Sequence, residues 1–278
     1  MTTSLFVHLL ASLMIGGAFI AACSLAAEVF GPRIGGIVAG LPSTVVITLL
    51  FVAWTESPAR AVQETTFIPY ALGLNCLLLG VYGLAARWGA VVALIVALAT
   101  WLALALCAVL WAPDQLAASL VALVVCFAVG SWMLSLAGKP GRVSGSAVKP
   151  GLVAILARAA FGGAVIALGV CLSQLAGPLV GGVAAVFPAA GVSTLVIVSW
   201  SRGSRFSLGL LRPMMVSGSV TILVYTLVVR YSYPSLGIIG GTVAALFLSG
   251  VSAYAIYRWR AVSSLPLSKG ELEGVNSQ

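Results

Sequence analysis

The sequence predicts an all-α polytopic membrane protein, a bundle of about nine transmembrane helices built from an inverted-topology repeat of five helices plus four. Three observations predict it. Of the 278 residues, 61% are hydrophobic and 7% charged, and the mean hydropathy is +1.16. A soluble domain carries about 25% charged residues, so this composition cannot cover a water-facing globule. The apolar residues fall into runs of roughly 20, the length of one bilayer crossing. The third observation is that the chain resembles itself.

Pro, Gly and charged residues bound the runs at roughly 4–29, 32–54, 67–87, 90–112, 116–137, 151–176, 178–200, 208–229 and 234–257. The first holds its two polar outliers, His8 and Glu28, at opposite ends. Its Ile20-Ala21-Ala22-Cys23 resembles a lipoprotein cleavage box, but residues 1–22 contain no Lys or Arg, so the segment is expected to stay as a span. The second begins at Pro32, where a residue without an N–H costs a helix nothing. The third carries Asn75 near mid-depth, and the fourth and fifth are separated by a short connection at Asp114. A polar linker, 138–150, precedes the sixth, which carries Arg158. The seventh begins at Pro178, the eighth carries Arg212 and Thr221, and the ninth leads into a tail beyond Arg260. The expected organisation is a first transmembrane repeat over 1–137, a cytoplasmic linker over 138–150, a second, inverted repeat over 151–257 and a cytoplasmic tail over 258–278.

Charge sets the orientation. With nine spans, Arg33, Arg87, Lys139, Arg142, Lys149, Arg202, Arg205, Arg258, Arg260 and Lys269 share one face. The other face holds Arg60 and Arg230, beside Glu56, Glu64 and Asp114. The positive-inside rule then places the N-terminus outside and the C-terminus in the cytoplasm of a multi-pass cell-membrane protein. The same rule accounts for the net charge of +8 without nucleic acid. All five cysteines lie in apolar runs without Cys-x-x-Cys spacing, and there is one histidine, so no cofactor or metal is expected.

Shifted by 146 positions, Leu10–Trp54 aligns with Leu156–Trp200 without a gap, and 18 of the 45 pairs are identical. Gly31-Pro32-x-x-Gly35-Gly36-x-x-Ala39-x-x-Pro42 matches Gly177-Pro178-x-x-Gly181-Gly182-x-x-Ala185-x-x-Pro188, Gly16-Gly17-Ala18 matches Gly162-Gly163-Ala164, and Thr48 and Trp54 match Thr194 and Trp200. Because the copies start five helices apart, the second enters the membrane upside down. Inverted repeats with a binding site at the repeat interface are a recurring plan of secondary transporters.

Pro42 and Pro188 each lie ten residues beyond a proline at a helix start, about 15 Å deep from opposite faces. Each removes a backbone hydrogen bond, so helices 2 and 7 are expected to kink or break there. Broken backbone at that depth is tolerated in protein or in a wet cavity. The expected substrate-binding residues are Pro42, Ser43, Thr44, Thr48, Asn75, Pro188, Gly191, Ser193, Thr194 and Thr221, the last being the repeat equivalent of Asn75. Against this stands local repair of each proline by Ser or Thr. The Gly-x-x-x-Gly spacings read as packing faces, which also offer a homodimer contact. Glu28, as the only acid placed within a span, is expected to pair with Arg158 or Arg33 as an inner gate, or else to cap its helix end while the arginines reach headgroups.

The Gly-Gly-x-x-Ala-x-x-Pro cassette at Gly35–Pro42, followed by Thr48 in a β-branched run, resembles the GlpM-like family of small integral membrane proteins. The resemblance covers residues 10–54 and 156–200 and implies an architecture, two units of about four helices fused in opposite orientation. It supplies no substrate, and Ala189 and Ala190 leave the second copy without the polar residues that follow Pro42. Three classes of function stand. A secondary transporter or permease for a small solute or ion, working by alternating access at helices 2 and 7, fits the repeat, and no P-loop signature is present. A non-catalytic accessory or structural subunit of the membrane fits the Gly-rich faces. An enzyme is not expected, since one His and one intramembrane Glu at opposite ends of helix 1 assemble no acid–base constellation.

Overall fold

The structure, a computed structural model, describes residues 7, 10–19, 21–22, 42–111, 114–137, 151–189, 191–192, 195–196, 199 and 204–263; some side chains within these helices, Arg158 among them, are not described. The described residues are almost all helical, with no strand among them. In order they are α1 (Leu10–Phe19), α2 (Ser43–Thr55), α3 (Pro58–Glu64), α4 (Ile68–Ala85), α5 (Ala90–Trp111), α6 (Leu116–Leu136), α7 (Leu152–Ala176), α8 (Pro178–Ala185) and α9 (Ser204–Ser263). Five described helices are long and apolar enough to cross a membrane, as the composition requires. The linker 138–150, most of the tail, Glu28, Arg33, Ser193 and Thr194 lie outside the described residues.

Helix boundaries follow local chemistry. Pro178 stands at the first position of α8 after Gly177, whose φ of 88° turns the chain between α7 and α8. The expected boundary before Pro234 is displaced. The helical run continues through Pro234 and breaks at Gly237, where φ is 69° and ψ −178°. Only a residue without a Cβ takes that conformation at low cost, whereas a proline can remain in a helix that neighbours support.

The acidic segment after the first repeat copy, placed above on the face with Arg60 and Arg230, folds as the short helix α3. Ser57 caps this helix by accepting from the Arg60 N–H at 3.1 Å, with Pro58 at its first position. Its last residue, Glu64, is fully buried.

The core is carried by α2 and α4, whose buried Val45, Leu49, Phe51, Leu72, Leu74 and Leu78 are sealed by α6, α7 and α9. By contrast α5 and α6 leave a broad apolar surface exposed, including Val91, Ile95, Leu106, Val121 and Val124, as helices facing lipid do. The α1–α7 crossing is close. A Cβ on Gly163 would lie 2.6 Å from the Leu13 carbonyl oxygen, and one on Gly17 would lie 3.1 Å from that of Ala159. Gly17 and Gly163, and Leu13 and Ala159, are equivalent pairs under the 146-residue shift, so this contact is reciprocal.

Candidate functional site

Pro188 interrupts its helix, and Pro42 stands directly before the start of one. Pro42 has φ −77° and ψ 56°, outside helical geometry, and α2 starts immediately after it. In the second copy α8 ends at Ala185, Val186 to Pro188 leave the helix, and helical structure resumes at Ala189. In each case the proline carbonyl accepts the first hydrogen bond of the new helix, from the Val46 N–H at 2.9 Å and from the Val192 N–H at 2.8 Å.

The two prolines line one cavity of about 310 Å³, together with Ser43, Thr44, Asn75, Gly191 and apolar residues of α4 and α9. Six of the ten expected binding residues thus meet at one place. Thr48 does not reach it. It lies one turn further along α2, fully buried and close to Gly169 of α7. Thr221 is also buried, its hydroxyl donating to the Ser217 carbonyl at 2.8 Å within its own helix. Helical direction explains both: Thr48, four positions beyond the lining residue Thr44, lies one turn deeper in the packing, and a mid-helix Thr satisfies itself on the preceding turn. The gate expected of Glu28, Arg33 and Arg158 falls on residues or side chains outside those described.

Asn75 has a defined task. Its Nδ2 donates to the Val186 carbonyl at 2.8 Å, the backbone oxygen exposed where α8 ends. Its Oδ1 accepts from Trp101 Nε1, also at 2.8 Å. Trp101 in turn meets Phe187 edge-on at 5.1 Å, and Phe161 meets the other side of Phe187 at 6.3 Å. The break is therefore held in one shape by a side-chain amide and two aromatic contacts, while the cavity wall beside it remains open.

A second polar cluster was not anticipated. At one end of the bundle, Ser173 of α7 donates to Glu56 Oε1 at 2.9 Å and also contacts Glu64 Oε1. Arg60 Nε pairs with Glu56 Oε2 at 3.1 Å. Glu64 Oε2 is buried with no hydrogen-bond partner. From α9, Arg230 Nη1 donates to Thr66 Oγ1 at 2.9 Å, to Thr65 Oγ1 at 3.1 Å and to the Val62 carbonyl at 3.3 Å. Burial pushes the Glu64 carboxyl up to about 8, with Glu56 adding to the rise and the Ser173 hydroxyl and Arg60 opposing it. Its neighbours Gly181 and Gly182 on α8 have no room for a side chain, since a Cβ would meet Glu64 Oε1 in the first case and the Glu64 carbonyl oxygen at 2.9 Å in the second. The sequence did hold a signal: Ser57-Pro58 is a helix-start pair, and it brings Glu64 in at the end of a two-turn helix.

Among the described residues no group of three or more His, Cys, Asp or Glu side chains is placed to hold a metal. In comparison with known proteins, the chain matches no family model, no curated protein and no solved structure.

Proposed function

We propose that this protein is a secondary transporter or permease for a small solute or ion, working by alternating access at the two broken helices. The observation that carries the reading is the single cavity between Pro42 and Pro188. Two proline breaks, matched by the 146-residue repeat, converge on a space of about 310 Å³, at the lower end of the range for small-molecule sites. The cavity is mostly apolar, with a few polar groups from Ser43, Thr44 and Asn75, which suits a small solute held by a handful of hydrogen bonds.

The inverted repeat is part of this proposal. The reciprocal contact of Gly17 with Ala159 and of Gly163 with Leu13 supports it, because residues that touch their own equivalents lie beside a two-fold axis. The grouping of ends supports it too. Glu56, Arg60, Glu64 and Arg230 gather at one end, whereas Tyr82 meets Ser199 and Ser207 at the other, at 2.8 and 3.0 Å. A nine-span chain with its N-terminus outside places the first group outside and the second inside. The resemblance to the GlpM-like family fits a fusion of two such units. No enzymatic step is assigned.

The test is cysteine accessibility. Ser43→Cys and Ala189→Cys are placed singly in a background without the five native cysteines, and each is labelled by membrane-impermeant reagents from either side. Labelling that switches sides when solutes or ions are added is the expected result. If neither position labels from either side, the cavity is dry packing and the chain is better read as a non-catalytic membrane subunit.

A further inference from the structure

The cluster around Glu64 lies apart from the cavity but is joined to it by α8. We propose that Glu64 is a proton-binding site that couples transport to proton movement, seating α8 against α3 when protonated and releasing it when ionised; this rests on the transporter reading above.

The geometry itself argues for a proton. A serine hydroxyl carries one hydrogen. Ser173 Oγ donates to Glu56 Oε1 at 2.9 Å, and Glu56 is paired with Arg60 at 3.1 Å. The hydrogen in the contact between Ser173 and Glu64 Oε1 must then come from Glu64. A chain results in which Glu64 donates to Ser173, Ser173 to Glu56, and Arg60 to Glu56. The other oxygen, Glu64 Oε2, is buried without a partner. A neutral carboxylic acid tolerates that vacancy at modest cost, whereas a carboxylate does not.

Among the described residues no cation faces this carboxyl closely enough to replace the proton. The charged groups described around it are Glu56 at the end of α2, Arg60 on α3, already paired with Glu56, and Arg230 on α9, whose Nη1 is spent on Thr65, Thr66 and the Val62 carbonyl. From α7 comes the neutral Ser173, and from α8 Gly181 and Gly182 lie against the carboxyl and the Glu64 backbone. Loss of the proton leaves an unpaired charge in a dry seam between α3 and α8. The relief is separation of the two helices and entry of water. Gly182 stands four residues before Val186, about 6 Å along the helix, so movement of α8 is delivered to the break and to the Pro188 wall of the cavity. The step balances simply: one proton leaves the Glu64 carboxyl to water when the seam opens, and one returns when it closes.

The experiment is infrared difference spectroscopy of the full chain in lipid nanodiscs, titrating the carbonyl stretch of a protonated carboxylic acid. It is paired with labelling of Ala189→Cys over the same pH range in a background without the native cysteines. The expected result is a band that titrates near pH 8, is lost in Glu64→Gln and moves to lower pH in Glu56→Gln. Labelling at position 189 should follow the same titration and become pH-independent in Glu64→Gln. A band unchanged by Glu64→Gln, or a midpoint that moves with sodium concentration, overturns the proton site. A Glu64 band that titrates while labelling at 189 occurs but ignores pH overturns the coupling and leaves the transport reading intact. No labelling at 189 or at Ser43→Cys at any pH, beside a normal band, overturns both coupling and transport.

Discussion

Replacing Asn75 with Leu removes a side chain of similar size but deletes both of its hydrogen bonds. Trp101 Nε1 and the Val186 carbonyl, each bonded to Asn75 at 2.8 Å, are then left without partners in surroundings where both residues are nearly inaccessible. An orphaned buried polar group costs about 1–3 kcal/mol. Interhelical hydrogen bonds inside membranes fall at the low end, about 0.6–2 kcal/mol. Two such bonds sum to about 1–4 kcal/mol, and relaxation of the open cavity wall brings the expected loss to about 2 kcal/mol. The assay is thermal unfolding in a mild detergent for the wild type, Asn75→Leu, Trp101→Phe and the double variant. Because Trp101→Phe removes the orphaned donor, the double variant should lose about 1 kcal/mol less than the sum of the singles. Asn75→Leu as stable as the wild type, or strictly additive effects, would refute the assignment of Asn75 as the brace of the break.

Three further outcomes follow from other contacts. Gly163→Ala should lower the melting temperature more than Gly17→Ala, because the added methyl lies 2.6 Å from a backbone oxygen in the first case and 3.1 Å in the second; the gain in helix propensity, about 1 kcal/mol at most, does not offset the tighter collision. Gly181→Ala should uncouple α8 from α7 and α3, since its methyl would stand 2.7 and 2.8 Å from Cβ and Cα of Ser173, and the readout is faster hydrogen exchange over 178–185. Stability should also depend on pH through Glu64. A carboxyl raised from the usual 4.5 to about 8 binds its proton more tightly in the folded protein, so its contribution is complete below about pH 4.5 and is lost as pH rises through 8. At about 1.4 kcal/mol per pH unit the ceiling is on the order of 5 kcal/mol, and Glu64→Gln should flatten that part of the melting-temperature profile.

Much of the bundle was legible because membrane helices are written in composition and length. The expected spans 67–87, 90–112, 116–137 and 151–176 differ by a residue or two from Ile68–Ala85 with its terminal turn, Ala90–Trp111, Leu116–Leu136 and Leu152–Ala176. Proline chemistry is equally local, so the interruption at Pro188 and the helix start after Pro42 could be read from the chain. The break at Gly237 was missed because Pro234, three residues earlier, is the louder signal, and only packing decides whether a proline is tolerated.

What the sequence determined by itself, then, was the all-helical class, the break at Pro188 and the helix start after Pro42, since each depends on a residue and its near neighbours along the chain. The tertiary structure decided which polar residues share a space. It turned Asn75 toward the Val186 carbonyl 111 positions away, turned Thr48 and Thr221 away from the cavity, and closed α7 and α8 over Glu64. A carboxylate in a short polar segment reads as solvated until two helices distant in sequence are known to cover it. Burial is a property of neighbours, and no local pattern records who they will be.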